Sequence, residues 1–92
     1  MTIEEQSRQS LTNIRSILEE AGLGMENVVK TTVFLNDIAD FAKMNVVYTE
    51  FFEKDYPARV AFQVAALPKA ALVEIEAIAV RKGQGNSIWK KQ

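Results

Sequence analysis

The sequence predicts a single α+β domain in which two helices cover one face of a three-stranded sheet. Two segments place apolar residues at steps of three and four, which is the periodicity of a buried helix face. Three other segments are short and rich in β-branched or alternating apolar residues, as strands are. The predicted order is helix, strand, helix, strand, strand, and 92 residues leave room for one domain only.

The first helix is predicted to begin at Thr2 and to end near Gly22. Thr2 followed by Glu5 matches the capping box, in which each side chain accepts a hydrogen bond from the other residue's backbone N–H. Behind this cap, four apolar residues form one stripe: Leu11, Ile14, Leu18 and Ala21. Glycine takes the left-handed conformation that ends many helices, so we expect the helix to stop at Gly22.

A strand over Val28–Leu35 and a second helix over residues 38–53 follow. The strand is rich in β-branched residues, and Asn36 and Asp37 break it. Pro57 then prevents the helix from continuing. The helix carries a wide stripe that we expect to be core rather than a stacking platform, and its members are Phe41, Met44, Tyr48, Phe51 and Phe52.

The second and third strands are predicted over residues 58–65 and 72–80, with a turn around Pro68 between them. The strand–helix–strand unit in the middle of the chain predicts a crossover between parallel strands. The short turn makes the second and third strands candidates for hairpin neighbours. One face of the third strand is uniformly apolar and predicts core contacts: Val73, Ile75, Ala77 and Ala79.

The second face of the sheet carries many apolar residues, and the chain offers no further element to cover it. A domain of this size buries only about 60–70% of the surface of its unfolded chain. Because large exposed apolar patches are rare in monomers, we expect another copy of the chain to cover this face. The sequence therefore predicts a homo-oligomer.

Composition excludes several kinds of chemistry. The chain has no cysteine and no histidine, which excludes disulfides and thiolate metal sites and removes the most frequent general base. We therefore expect neither a metal nor a cofactor. The first 80 residues carry 7 basic and 12 acidic side chains and the last 12 residues carry 4 basic ones, so the net charge of −1 combines an acidic body with a basic tail. An acidic body argues against nucleic acid as a partner.

The two ends of the chain give further expectations. Residues 83–92 contain glycine, asparagine, serine and lysine, and we expect a mobile basic tail outside a domain over residues 1–82. The amino end lacks the basic patch and apolar core of a secretory signal, and no apolar run approaches the roughly 18 residues of a membrane span. We therefore expect no membrane contact and a cytoplasmic location, with the mitochondrion as the open alternative.

Arg59 and Glu76 are the strongest candidates for a site. They lie on the second and third strands, and they meet at the subunit contact if these strands are neighbours and both side chains reach the open face. There an arginine matches a carboxylate bidentately, and a glutamate beside it can hold or activate a water. The alternative is a structural cross-strand ion pair. Asn45 lies beside the aromatic stripe and either caps or bridges a group across the subunit interface or faces water.

Several spaced blocks resemble the RidA/YjgF family, in the family's order and without gaps from about residue 4 to Arg81. The blocks are residues 9–22, residues 28–37 with Asp40 and Phe41, Pro57-Ala58-Arg59, residues 63–69 and residues 73–80. The resemblance implies a chorismate-mutase-like α+β fold and a homotrimer with sites in clefts between subunits. It also implies hydrolysis of reactive enamines and imines of the 2-aminoacrylate type to 2-oxo acids and ammonia, without a metal or cofactor.

The resemblance also implies roles for individual residues. Arg59 matches the family arginine that binds the substrate carboxylate, and Glu76 matches the glutamate that positions the reacting water. Ala61 stands where some members have cysteine, and its backbone N–H is expected to help bind the carboxylate. Asn45 matches an asparagine that is part of the surroundings of the same cleft.

The amino end departs from the family pattern, because the strands that members carry before the first helix are absent from this sequence. The resemblance therefore implies an amino-terminally shortened domain. Two alternatives to the deaminase stay open. One is a non-catalytic module of the same fold that binds a small molecule or a protein, and the other is RNA cleavage or translation inhibition.

Overall fold

The computed structural model describes residues 1–81 and the backbone of residues 86–91. Its helices and strands, in chain order, are α1 (Ile3–Glu20), β1 (Val28–Leu35), α2 (Phe41–Phe51), β2 (Ala58–Gln63), β3 (Val73–Arg81) and β4 (Asn86–Lys91). Short 3-10 turns precede β1, α2 and β3. The predicted order of helix, strand, helix, strand, strand is confirmed, and β4 follows it.

Helix α1 begins and ends at its sequence signals. The backbone N–H of Thr2 donates to Glu5 Oε1 at 2.8 Å, and the backbone N–H of Glu5 donates to Thr2 Oγ1 at 3.1 Å. These hydrogen bonds with Thr2 hold the pKa of the Glu5 carboxyl below its usual value, because they favour the ionised form. Beyond the helix, Gly22 has a φ of 77°, the left-handed conformation expected of a stop.

Strand β1 lies inside the sheet, whose order is β2-β1-β3-β4. β1 and β2 are parallel, as predicted, while β3 is antiparallel to β1. The expectation that β2 and β3 are hairpin neighbours is wrong, because β1 lies between them. Their connection crosses the carboxyl end of β1, where Val64 N–H donates to Leu35 O and Asn36 N–H donates to Leu72 O.

The core lies between the two helices and one face of the sheet. It contains the predicted stripe of α1 and the predicted apolar face of β3, together with β1 and α2: Leu11, Ile14, Leu18, Val33, Leu35, Met44, Val47, Tyr48, Ile75, Ala77 and Ala79. Val29 shares the parity of the buried β1 residues but is 48% exposed, because the pairing with β3 shifts between Val28 and Lys30. Within the described residues, no helix is long and apolar enough to cross a membrane.

No helix or strand within residues 1–81 covers the opposite face of the three strands β2, β1 and β3. Val60 and Phe62 of β2 are 47% and 41% exposed. The Phe62 ring packs edge-on against Phe34 of β1, with centroids 5.2 Å apart. This is the open face on which the sequence predicts another copy of the chain.

Strand β4 extends the sheet along β3, where the sequence analysis placed no strand. The two strands are antiparallel, and their register runs from Glu76 opposite Lys91 to Arg81 opposite Asn86. Residues 82–85 and 92 lie outside the described residues, so the mobile tail predicted over residues 83–92 stays a prediction there.

Candidate functional site

Arg59 lies on the helix-covered face of the sheet. In β2 it is in register with Thr31 of β1, which is 1% exposed beneath the helices. The Arg59 side chain reaches α2, where Nη1 donates a hydrogen bond to Asn45 Oδ1. The condition set for the predicted pair, that both side chains reach the open face, is therefore not met. Asn45 therefore contacts a residue of its own chain, and the role predicted for it across the subunit interface stays a prediction.

Two aromatic rings of α2 contact the Arg59 guanidinium. Its Cζ lies 4.6 Å from the centroid of the Tyr48 ring and 5.0 Å from that of Phe41. A guanidinium within about 6 Å of a ring centroid is attracted by the negative face of the ring. The aromatic stripe of α2 was expected to be core alone, and the structure shows that part of it also supports a cation.

Tyr48 is anchored from below. Its hydroxyl shares a hydrogen bond of 2.6 Å with Thr31 Oγ1, and its ring centroid lies 4.8 Å from that of Phe52. Burial raises the pKa of the Tyr48 hydroxyl, while the Thr31 hydrogen bond and the positive charge of Arg59 oppose this shift. Tyr48 therefore stays neutral near physiological pH and acts as a fixed surface under Arg59.

A cavity of about 280 Å³ opens beside the Arg59 guanidinium. Its lining comes from α2 and from the segment that leads into β2: Asn45, Tyr48, Thr49, Tyr56, Pro57 and Arg59. A guanidinium has five N–H donors in a planar fork, and Asn45 accepts from one of its nitrogens. The remaining donors at the cavity border suit a small carboxylate.

Ala61 follows Arg59 on the same face of β2 and packs against the core. It is in register with Val33 of β1. Within residues 1–81 and 86–91, β2 is an edge of the sheet, so one side of its backbone has no strand partner. The role predicted for the Ala61 N–H in carboxylate binding stays a prediction.

Glu76 lies on the other face of the sheet. Its neighbours Ile75 and Ala77 are buried beneath the helices, so the strand pleat directs Glu76 to the open face. β1 separates Glu76 from Arg59 by two strand spacings, about 10 Å, and the two side chains leave opposite faces. They form no cross-strand ion pair, and a site that uses both must take them from two chains.

Among the described residues, no three or more histidine, cysteine, aspartate or glutamate side chains are grouped as metal ligands. A groove of about 650 Å³ lies at the carboxyl ends of α1 and α2 and is lined largely by charged side chains. It contains none of the predicted site residues.

Phe41 and Tyr48 were not predicted from the sequence as partners of Arg59. A signal was present, because Phe41, Asn45 and Tyr48 are spaced by four and three residues and share one helix face. That face lies over Arg59 only because of the register between β2 and β1, which local pattern does not determine.

Comparison with known proteins assigns the family. A family model described as endoribonuclease L-PSP matches residues 1–81. A RutC family protein of Pyrococcus horikoshii is 55% identical over 80 residues, which are 87% of this chain and 64% of that protein. The 2-iminobutanoate/2-iminopropanoate deaminase of Bos taurus is 56% identical over 79 residues, which are 86% of this chain and 58% of that enzyme.

Solved structures agree. The product of the Escherichia coli YjgF gene gives a TM-score of 0.84 at 49% identity and is matched over 88% of this chain and 66% of its own. Escherichia coli TdcF with bound serine gives a TM-score of 0.85 at 46% identity, and the match covers 89% of this chain and 67% of the TdcF chain.

Two helices on the mixed sheet of β2, β1 and β3, which β4 extends, thus define an α+β protein of the RidA-like fold. The chain belongs to the RidA/YjgF family, the one described by the endoribonuclease L-PSP model. It spans 64% of the length of the Pyrococcus relative and 58% of that of the bovine enzyme. Strand β4 lies outside the matched residues 1–81.

Proposed function

We propose that this protein is a deaminase that hydrolyses enamines and imines of the 2-aminoacrylate type to 2-oxo acids and ammonia. The observation that carries the proposal is the Arg59 guanidinium, which is held at the border of a small cavity with donors left for a carboxylate. A bovine relative that is 56% identical bears the name 2-iminobutanoate/2-iminopropanoate deaminase, and its named substrates are imines with a carboxylate.

The proposed mechanism gives each residue one task. Arg59 binds the carboxylate, and the Ala61 N–H assists. A proton from water adds to the enamine carbon, the amino nitrogen returns a proton to the solvent, and the imine forms. Glu76 of a second chain then directs a water to the imine carbon, and ammonia leaves as the 2-oxo acid forms. Water supplies the oxygen, so the reaction balances without an oxidant or a reductant.

The proposal includes a homotrimer with its site between subunits. Arg59 and Glu76 leave opposite faces of one sheet, so one substrate meets both only where two chains are in contact. A contact between two different surfaces of the same chain forms a closed ring when the rotation that relates neighbouring subunits divides a full turn evenly. The apolar residues of the open face, including Val60 and Phe62, support such a contact.

The direct test is the release of 2-oxo acid from enzymatically generated 2-aminoacrylate. We expect a rate above that of buffer, and we expect Arg59→Ala and Glu76→Gln each to abolish it. A folded oligomer that is no faster than buffer contradicts the deaminase. If this oligomer binds 2-oxobutanoate and Arg59→Ala abolishes the binding, the non-catalytic module is correct instead.

Mixing the two inactive variants tests the two-chain site. In trimers refolded from equal amounts of Arg59→Ala and Glu76→Gln, about a quarter of the sites combine an intact Arg59 with an intact Glu76, so about a quarter of the activity should return. The matched control mixes Arg59→Ala with the double variant, which restores no site. If the first mixture stays inactive in mixed oligomers, Arg59 and Glu76 do not share a site between chains.

A further inference from the structure

We infer that Phe41 and Tyr48 are positioning residues for carboxylate binding, because their two rings hold the Arg59 guanidinium in place at the cavity border. The inference rests on the proposed function, since the carboxylate is that of the proposed substrate. Neither residue is placed in contact with the reacting atoms.

The contacts restrain the guanidinium from several sides. Cζ lies 4.6 Å from the Tyr48 centroid and 5.0 Å from the Phe41 centroid, and Asn45 accepts a hydrogen bond from Nη1. Arg59 starts from an exposed edge strand, where a long side chain has many rotamers. Immobilising such a side chain reduces affinity when it occurs on binding. The two rings and Asn45 restrain Arg59 before a ligand arrives.

The support under Arg59 is itself rigid. Tyr48 is 2% exposed, and Thr31, which shares its hydroxyl hydrogen bond, is the register partner of Arg59 in the sheet. The Phe52 ring packs against the Tyr48 ring from the core. Core packing therefore fixes the position of one ring, and the arginine takes its position from that ring.

The chain offers a matched control on the same helix. Arg15 of α1 lies over the ring of Phe51 with Cζ 5.0 Å from the centroid, the distance found for Arg59 over Phe41. Phe41 and Phe51 are both half-buried and both pack against the core. Phe41→Leu and Phe51→Leu therefore remove similar packing and one arginine contact each, but only the first contact involves the site.

The experiment measures binding of 2-oxobutanoate by calorimetry, and KM and kcat with 2-aminoacrylate, on the full chain. We expect Phe41→Leu to raise Kd and KM about fivefold, or about 1 kcal/mol, with kcat within about twofold. A rise in KM without a loss of kcat is the mark of lost uniform binding, which a smaller fraction of folded protein does not produce. Phe51→Leu should change neither value, and Phe41→Tyr should behave like the parent.

Tyr48 gives an independent comparison. Tyr48→Leu removes the second ring and should raise KM, as Phe41→Leu does. If Phe41→Leu does not fold, Phe41→Met retains an unbranched side chain of similar volume and takes its place in the comparison with Phe51→Met.

The outcomes separate the inference from the proposed function. Equal effects of the changes at Phe41 and Phe51, or a loss of kcat with KM unchanged, overturn the inference while the deaminase stands. A parent chain that neither binds 2-oxobutanoate nor turns over 2-aminoacrylate overturns the proposed function, and the inference with it.

Discussion

The buried hydrogen bond between Thr31 and Tyr48 predicts a large non-additivity between two conservative substitutions. The two hydroxyl oxygens lie 2.6 Å apart, and the residues are 1% and 2% exposed. Thr31→Val and Tyr48→Phe each remove one hydroxyl and leave the other buried without its partner, which costs about 1–3 kcal/mol. The double variant removes both hydroxyls, and replacing both partners by apolar groups of similar shape is nearly neutral.

We therefore expect each single variant to lower the free energy of unfolding by about 1.5 kcal/mol, and the double variant to lose at least about 1 kcal/mol less than the sum. For a domain of this size, about 1.5 kcal/mol lowers Tm by roughly 6–12 °C. The assay is urea unfolding followed by circular dichroism at one protomer concentration, since oligomer stability depends on concentration. Thr49→Val is the control, because this exposed residue donates only to Val46 O of its own helix. Additive losses would refute the reasoning.

Three further predictions concern the helix cap, pH and the carboxyl-terminal strand. Thr2→Ala removes the capping box and should lower the free energy of unfolding by about 1 kcal/mol, while Thr2→Ser should retain it; equal losses in urea unfolding contradict this prediction. Burial raises the pKa of Tyr48 above 10.0, its ordinary value. The neutral Tyr48 hydroxyl therefore contributes its full stability below pH 10.0, and this contribution is lost as the pH rises through the higher pKa of the folded state. The decline in Tm between about pH 9 and 11 should be shallower in Tyr48→Phe, and parallel declines would show that Tyr48 does not cause it. Deletion of residues 82–92 uncovers the β3 edge, so it should lower Tm and promote aggregation. If light scattering shows the same particle size as for the full chain, β4 does not protect the edge.

Local signals account for the elements that the sequence predicted well. The capping box at Thr2, the left-handed Gly22 and the break at Pro57 act within a few residues of their own position. The order of strands is different, because it depends on which edges meet after the chain has collapsed. A turn at Pro68 is compatible with a hairpin, but the hydrogen bonds of Val64 and Leu72 carry the connection across β1 instead.

Strand β4 is a stronger case of a strand that local sequence does not predict. Its segment lies beyond the family match and contains no alternating apolar pattern that would set it apart as a strand. Its assignment rests on the open edge of β3, with which it pairs along six positions from Glu76 to Arg81. An edge strand of this kind is determined by the partner it completes rather than by its own sequence.

The site was predictable by residue type but not by geometry. Arg59 and Asn45 were candidates from the sequence, yet their contact requires the register that places Arg59 beside Thr31. Because side chains alternate along a strand, a shift of one residue would have moved Arg59 to the open face. The spacing of Phe41, Asn45 and Tyr48 marks one face of α2, but only the register of β2 against β1 brings the arginine beneath that face.

That register also bears on the alternative that Arg59 and Glu76 form a structural ion pair. If β2 lay next to β3 and were shifted by one residue, Arg59 and Glu76 would share a face and could form an ion pair within one sheet. The observed arrangement keeps them on opposite faces with β1 between them. Arg59 instead binds to a neutral amide and two rings, which hold the guanidinium without neutralising it. Among the described residues Arg59 has no carboxylate partner, so its charge beside a cavity is suited to an anionic ligand. A glutamate on the far face is suited to serve a neighbouring chain.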